Sequence, residues 1–227
     1  MRTIYEAPIS FFNQKLDKQV LKYFKLKSKK KPNLSPWKKI TKITLNTKKF
    51  VNIAIIGKYV NLKDAYKSLD EALIHGGISN KVKVNLIRIE SDKLKVNEIK
   101  KKLKNVSGLL IPGGFGKRGT EGKISAIKFA RENKIPFLGI CFGMQMAIVE
   151  FARNILKIKK AGSSELDKNC YPVIGLITEW NKNGKIIKGT DKNLGGTMRL
   201  GSYEAKLRNN SAIKKIYKTN LIRERHR

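Results

Sequence analysis

From residue 50 onward the sequence predicts a doubly wound, mostly parallel α/β sheet, on three observations. Short apolar, β-branched runs alternate with segments whose apolar residues recur at helical spacing. Most of those runs are apolar nearly throughout, as strands covered on both faces are. Glycines punctuate the ends of the runs, where the chain must turn toward its next element.

The elements follow in order. "FVNIAIIG" (50–57) is a β-branched run closed by glycine, and "KDAYKSLDEALIHGG" (63–77) has helical spacing with a glycine stop. "VKVNLIRI" alternates as a strand, "NEIKKKLKN" reads as a polar helix, and "GLLIPGG" as a buried strand ending in a turn. "EGKISAIKFARENK" is helical, "IPFLGI" is a strand, and "FGMQMAIVEFARN" is helical again. Residues 1–49 differ. "NQKLDKQVLKYFKL" spaces Leu16, Val20, Leu21 and Phe24 as one amphipathic helix, and "KLKSKKKPNLSPWKKITKI" reads as a lysine-rich linker. Two segments are therefore expected: 1–49 as helix and linker, 50–227 as the α/β domain.

With 227 residues the chain can bury one substantial core. Its two cysteines make no disulfide framework, so a reducing compartment is expected. The longest apolar stretch, 135–152, is broken by Gly139, Gly143, Gln145 and Glu150, short of the roughly 20 uninterrupted residues of a membrane span. The opening "MRTIYEAPIS" has no signal pattern, and a soluble cytoplasmic protein is expected. The net charge of +33, from 50 Lys+Arg against 17 Asp+Glu, raises the alternative of a nucleic-acid binder. The excess is mostly lysine spread along the chain (Lys22, Lys83, Lys100, Lys157, Lys214), alongside much Ile and Asn. That pattern fits compositional bias better than a dedicated patch, so no specific nucleic-acid partner is expected.

Chemistry concentrates at "GICFG". A cysteine between two glycines, after a strand and before a helix, has the form of a nucleophile elbow, in which Gly139 and Gly143 leave room for neighbouring backbone. The free amides at the start of the following helix favour an anionic sulfur at Cys141. Cys170, in "KNCYPV", lacks such context and reads as structural. "PGGFG", after the third strand, lets backbone approach a ligand, so the amides of Gly114 and Phe142 are candidates for a two-donor oxyanion hole. Two rival readings of this loop fail. Gly114, Gly116 and Gly119 spell a dinucleotide-type GxGxxG, but after the wrong strand and without a suitably placed acid. Gly116, Gly122 and Lys123 approach a phosphate loop, but the spacing is one too long and Ile124 stands where Ser or Thr is needed.

"GICFGMQ" and "PGGFG" resemble the nucleophile and oxyanion motifs of class I glutamine amidotransferases. "IGKYV", "DAYKS", "IPGGFGKRGTEGK", "GGTMRLG" and "ERHR" resemble, more narrowly, the glutaminase domain of the CTP synthase family, and "TIYEAP" resembles the end of that family's synthetase domain. The resemblance implies a flavodoxin-like fold and glutamine hydrolysis through a thioester on Cys141. Ammonia would pass to a synthetase domain that makes CTP from UTP with ATP and magnesium, under activation by GTP. It implies an oxyanion hole at Gly114 and Phe142, and glutamine held by Gly114, Phe142, Gly143, Met144, Gln145 and Glu165. Phe115, Arg118 and Arg199 would belong to GTP-responsive loops. No metal or cofactor is expected on this chain itself, and the full enzyme would be a homo-tetramer.

The family's base is a histidine followed two residues later by glutamate. The two histidines here, His75 in "LIHGG" and His226 in "ERHR", are not followed by Pro-Glu. The chain is therefore expected to be an excerpt of a longer enzyme, inactive in isolation for want of the His/Glu pair. It would also leave a sheet edge unpaired and apolar surface exposed. A non-catalytic, partner-stabilising module is the alternative.

Overall fold

In the computed structural model, which describes residues 1–28, 30–60, 62–175, 179–182, 185–188 and 201–226, four parallel strands make the central sheet. They are β1 (Phe50–Gly57), β2 (Lys83–Glu90), β3 (Gly108–Ile111) and β4 (Phe137–Gly139), in the order β2-β1-β3-β4. The doubly wound parallel arrangement is as the alternating pattern predicts. Ile53 lies beside Gly108, Leu109 beside Phe137 and Ile111 beside Gly139, so the strands end at one level. Alternate residues of β1 serve opposite faces, as a period of two requires. Ala54 and Ile56 join one core with Ile99, Leu103, Ile124, Met146 and Val149, whereas Ile55 joins the other with Leu69 and Leu73.

The helices are α1 (Ala7–Asn13), α2 (Leu16–Tyr23), α3 (Ser35–Asn46), α4 (Lys67–Ser79), α5 (Val96–Leu103), α6 (Thr120–Glu132) and α7 (Phe142–Asn154). The first core thus takes α5, α6 and α7, and the second takes α4. Across the first core Arg131 of α6 grips Glu150 of α7 with a forked pair, Nε to both carboxylate oxygens at 3.1 Å and a terminal nitrogen at 2.8 Å. Glu150 is 1% exposed.

Two local expectations are corrected. The stretch read as a linker contains α3, twelve residues long, whose first turn carries Pro36 where a missing N–H costs nothing. Thr41 of α3 donates to the Tyr5 carbonyl at 3.3 Å, and the Tyr5 ring lies 5.9 Å from that of His75 in α4. The glycine pair in "LIHGG" does not stop α4, which runs on to Ser79. A side chain at Gly77 would come within 2.6 Å of Val84 and 2.7 Å of the Val82 carbonyl, so this glycine serves close packing onto β2.

The residues up to 174 form one compact unit and those from Gly175 a second. The first closes with a short parallel pair, β5 (Ala161–Ser163) and β6 (Tyr171–Ile174). Arg153 of α7 donates to the Ala161 carbonyl at 2.7 Å, which ties β5 to the helix. The second unit contains two antiparallel pairs. One joins β7 (Glu179–Lys182) to β8 (Lys185–Lys188), and the other joins β9 (Gly201–Lys206) to β10 (Leu221–His226). Helix α8 (Ala212–Tyr217) is capped by the Ser211 hydroxyl, which accepts from the Lys214 amide at 3.1 Å. Among the described residues, β4 has a strand neighbour on one side only. Leu138, Met144, Ile148 and Phe151 are exposed. No helix among the described residues is long and apolar enough to cross a membrane.

Candidate active site

Because the strands run parallel and end together, the residues that follow them emerge side by side on one edge, where ligands bind in open α/β sheets. In sheet order these are Ser91–Asp92 after β2, Lys58–Tyr59 after β1, Pro112–Gly116 after β3 and Ile140–Cys141 after β4. The amide of Ile140 donates to the Ile111 carbonyl at 2.9 Å, extending the β3–β4 pairing to the threshold of the elbow.

Cys141 is the residue between β4 and α7, with φ +50° and ψ −105°. A non-glycine residue in that region stores strain, which the surroundings must hold in place. They do so by contact. A methyl on Gly139 would stand 2.6 Å from backbone atoms of Gly143 and Met144, and one on Gly143 would stand 2.1 Å from the Ile111 carbonyl oxygen. Both elbow glycines are therefore required for the approach of backbone to backbone, as the motif predicts. The thiol side chain is exposed. A methyl on Gly113 would lie 3.6 Å from the Cys141 Cβ, which places the "PGGFG" loop directly against the cysteine.

Phe142 is the first residue of α7, and first-turn amides have no partner within their helix. Among the described residues neither the Phe142 amide nor the Gly114 amide donates to a backbone acceptor. Phe142 adjoins the strained, exposed cysteine in the chain and Gly114 follows the Gly113 that lies against it, so both amides are candidates to donate to an oxyanion formed by attack of its sulfur. Gln145 sits one turn along α7 from Cys141, its amide donating to the Cys141 carbonyl at 3.1 Å, so the two share a helix face. Gly143 is buried and Met144 is 53% exposed.

The remaining predicted residues are placed as follows. Glu165 is exposed in the turn after β5, a strand packed on α7. Phe115 is 81% exposed at the loop tip. Arg118 is no freely solvated charge: its Nε lies 2.9 Å from Asp92 and its guanidinium 5.7 Å from the Tyr59 ring centre. Arg199 lies outside the described residues, as does the side chain of His226. His75 packs on Tyr5. Cys170 lies against Gly162, where a methyl would come within 2.7 Å of its Cβ.

Two lysines of this edge have no role assigned from the sequence: Lys58 is not singled out, and Lys123 enters only in the rejected phosphate-loop reading. Lys58 is 9% exposed, and its ammonium donates to the carbonyls of Phe115 and, at 3.0 Å, Gly116. Lys123 is 2% exposed, with its Nζ 4.8 Å from the Phe142 ring centre. The signal for Lys123 was its position, one turn from Ile127 and two from Ala130 on the buried face of α6. Burial, then the charge of Lys58, then that of Arg118, push the Lys123 amine down to about 8, against the pull of Asp92. Below pH 8 both folded and unfolded chains carry this proton, and the folded chain bears the whole cost of burying the charge. Between about 8 and the ordinary value of 10.5 only the unfolded chain holds the proton, so stability from this group rises with pH. Lys123→Met should therefore be more stable than the parent in urea at pH 7, with an advantage that shrinks as pH approaches 10. A variant less stable at pH 7 would contradict this assignment.

Known proteins align with this geometry. The model of the glutamine amidotransferase class-I family matches residues 61–227. CTP synthase of Pelagibacter ubique (strain HTCC1062) is 77% identical over the whole chain, which covers 42% of that protein. CTP synthase of Gluconobacter oxydans (strain 621H) is 50% identical, over 99% of this chain and again 42% of the relative. Among solved structures, the glutaminase domain of Trypanosoma brucei CTPS with bound acivicin superposes with a TM-score of 0.65 at 34% identity. That match takes in 78% of this chain and 66% of the other. The chain thus spans 42% of the length of these curated relatives. With the family model matching over most of its length, and a strained cysteine turning from strand to helix beside a glycine loop, the chain belongs to the class-I glutamine amidotransferases.

Proposed function

We propose that the chain is the glutaminase portion of a CTP synthase, with Cys141 as nucleophile. The observation that carries this is the elbow: an exposed cysteine at φ +50° between β4 and α7, with Gly113 of the glycine loop against it. The sulfur attacks the side-chain amide carbon of glutamine as the thiol passes its proton to a base. That base is the histidine that the resemblance implies for the longer enzyme, and it later gives the proton to the leaving nitrogen. The carbonyl oxygen becomes an oxyanion held by the amides of Gly114 and Phe142. Collapse of this intermediate expels the nitrogen, protonated to ammonia, and leaves a thioester, which water cleaves to glutamate and free thiol. Gln145 and Glu165, with the backbone of Gly143 and Met144, hold the substrate.

The relatives' name and the resemblance supply the rest of the reading. Ammonia passes to a synthetase portion that aminates UTP at the expense of ATP, in a cytoplasmic tetramer. GTP acts on the loops bearing Phe115, Arg118 and Arg199. ATP, magnesium and UTP belong, as the resemblance implies, to the synthetase portion. In the protein carrying both portions, Cys141→Ala should abolish CTP formation from glutamine and leave CTP formation from ammonium chloride intact. Retention of the glutamine-dependent reaction would overturn the assignment.

A further inference from the structure

We propose that Lys58 is a positioning residue for the oxyanion loop, acting by clamping the backbone of Phe115 and Gly116. The inference rests on the reading of Cys141 and Gly114 given above and adds a group that touches neither substrate nor sulfur.

The loop between β3 and α6 has a conformational problem. Gly113 and Gly114 must place one amide accurately, yet glycines are the residues least able to hold a conformation unaided. Among the described residues no backbone hydrogen bond involves residues 112–116. Anchors exist on both sides. Upstream, the Ile111 carbonyl is fixed by the Ile140 amide at 2.9 Å. Downstream, Thr120 holds the Lys117 carbonyl through its hydroxyl at 2.6 Å, and Arg118 is tied to Asp92 at 2.9 Å. Between them, the one polar tether among the described residues is the Lys58 ammonium, on two successive carbonyls.

The chemistry suits a lysine. Two convergent carbonyls need a donor with more than one hydrogen on a stem long enough to rise from the end of a neighbouring strand, and an ammonium carries three. Lys58 is the first residue after β1, the strand beside β3, so its stem starts one strand away from the loop. It is 9% exposed, so its ammonium is largely withdrawn from water and depends on the two carbonyls for its partners. Its Nζ lies 6.0 Å from the Phe142 ring centre, so the group under the loop also borders the residue that supplies the second amide. Lys123, on the same ring at 4.8 Å, has no hydrogen bond to the loop and is not a tether.

The test uses two reactions of Cys141 in the same chain. The chloroketone analogue of glutamine alkylates the sulfur with loss of chloride, and its carbonyl benefits from a formed oxyanion hole. Iodoacetamide alkylates the sulfur without needing one. Lys58→Met keeps the stem and removes the donors; Lys58→Gln keeps a single donor group. Chloroketone labelling is expected to fall about 100-fold in Lys58→Met, the scale of misplacing a reacting group by about 1 Å. Lys58→Gln should fall between Lys58→Met and the parent, with iodoacetamide labelling within about twofold of the parent in both. Propylamine added to Lys58→Ala should restore chloroketone labelling, whereas propanol should not. Unchanged chloroketone labelling in both variants overturns the role of Lys58 alone. Equal loss of both reactions also overturns it, making Lys58 a strut of the whole elbow. Failure of the chloroketone to label the parent chain overturns the nucleophile reading instead.

Discussion

Gly143→Ala should unfold the elbow. The added methyl would stand 2.1 Å from the Ile111 carbonyl oxygen, 2.9 Å from its carbon and 3.0 Å from the Ile111 Cβ. None of these can yield cheaply. Ile111 is fully buried, and its strand is paired to β1 on one side and β4 on the other. The start of α7 must move instead, which breaks the Gly143–Ile140 hydrogen bond and displaces the Phe142 amide with it. Overpacking a rigid site costs up to about 3 kcal/mol, more where backbone must move, and a shift of about 1 Å in a catalytic group costs about 100-fold in rate. Urea unfolding and chloroketone labelling measure the two effects. A variant as stable as the parent and labelled at the parent rate would mean that α7 is not seated against β3 in this way.

Arg131→Ala carries a comparable penalty at the other end of α7. Glu150 is 1% exposed, and its carboxylate is held by three hydrogen bonds from one guanidinium. Removing the arginine leaves a buried carboxylate without its counter-ion, at a cost of about 3–5 kcal/mol. Replacing both partners by apolar residues, Arg131→Met with Glu150→Leu, should recover most of that loss, since it removes the charge along with the need to pair it. Denaturant midpoints of the single and double variants decide between the two. A double variant no better than the single would place the stabilisation in packing rather than in the ion pair.

The elbow was legible because its physics is local. Strand, glycine, cysteine, glycine and helix follow one another along the chain, and the steric demand on Gly143 is set by the adjacent strand. The parallel sheet was legible for the same reason, since its strands are apolar runs separated by periodic helices. What escaped depends on distant partners. The lysine-rich stretch holds α3 because Thr41 and the neighbouring face rest on Tyr5, 36 residues earlier. Gly77 reads as a helix stop until β2 is placed against it. Lys58 looks like any lysine after a strand, since its carbonyl partners lie 57 and 58 residues on. Arg118 reads as a loop charge until Asp92 and Tyr59 come beside it from two other strand ends. Strands β5 to β10 are not set between two long periodic helices, the context that marked the equally short β3 and β4.

The most direct measurement of the central claim is the site of covalent capture by a glutamine-like electrophile. The chain would be incubated with the chloroketone analogue of glutamine, digested, and its cysteine peptides weighed, with and without glutamine as competitor. A strained, exposed Cys141 beside the glycine loop predicts one adduct, on Cys141, slowed by glutamine, with Cys170 unmodified. Equal labelling of Cys141 and Cys170, indifferent to glutamine, would contradict the account: Cys141 would then be an exposed thiol and nothing more.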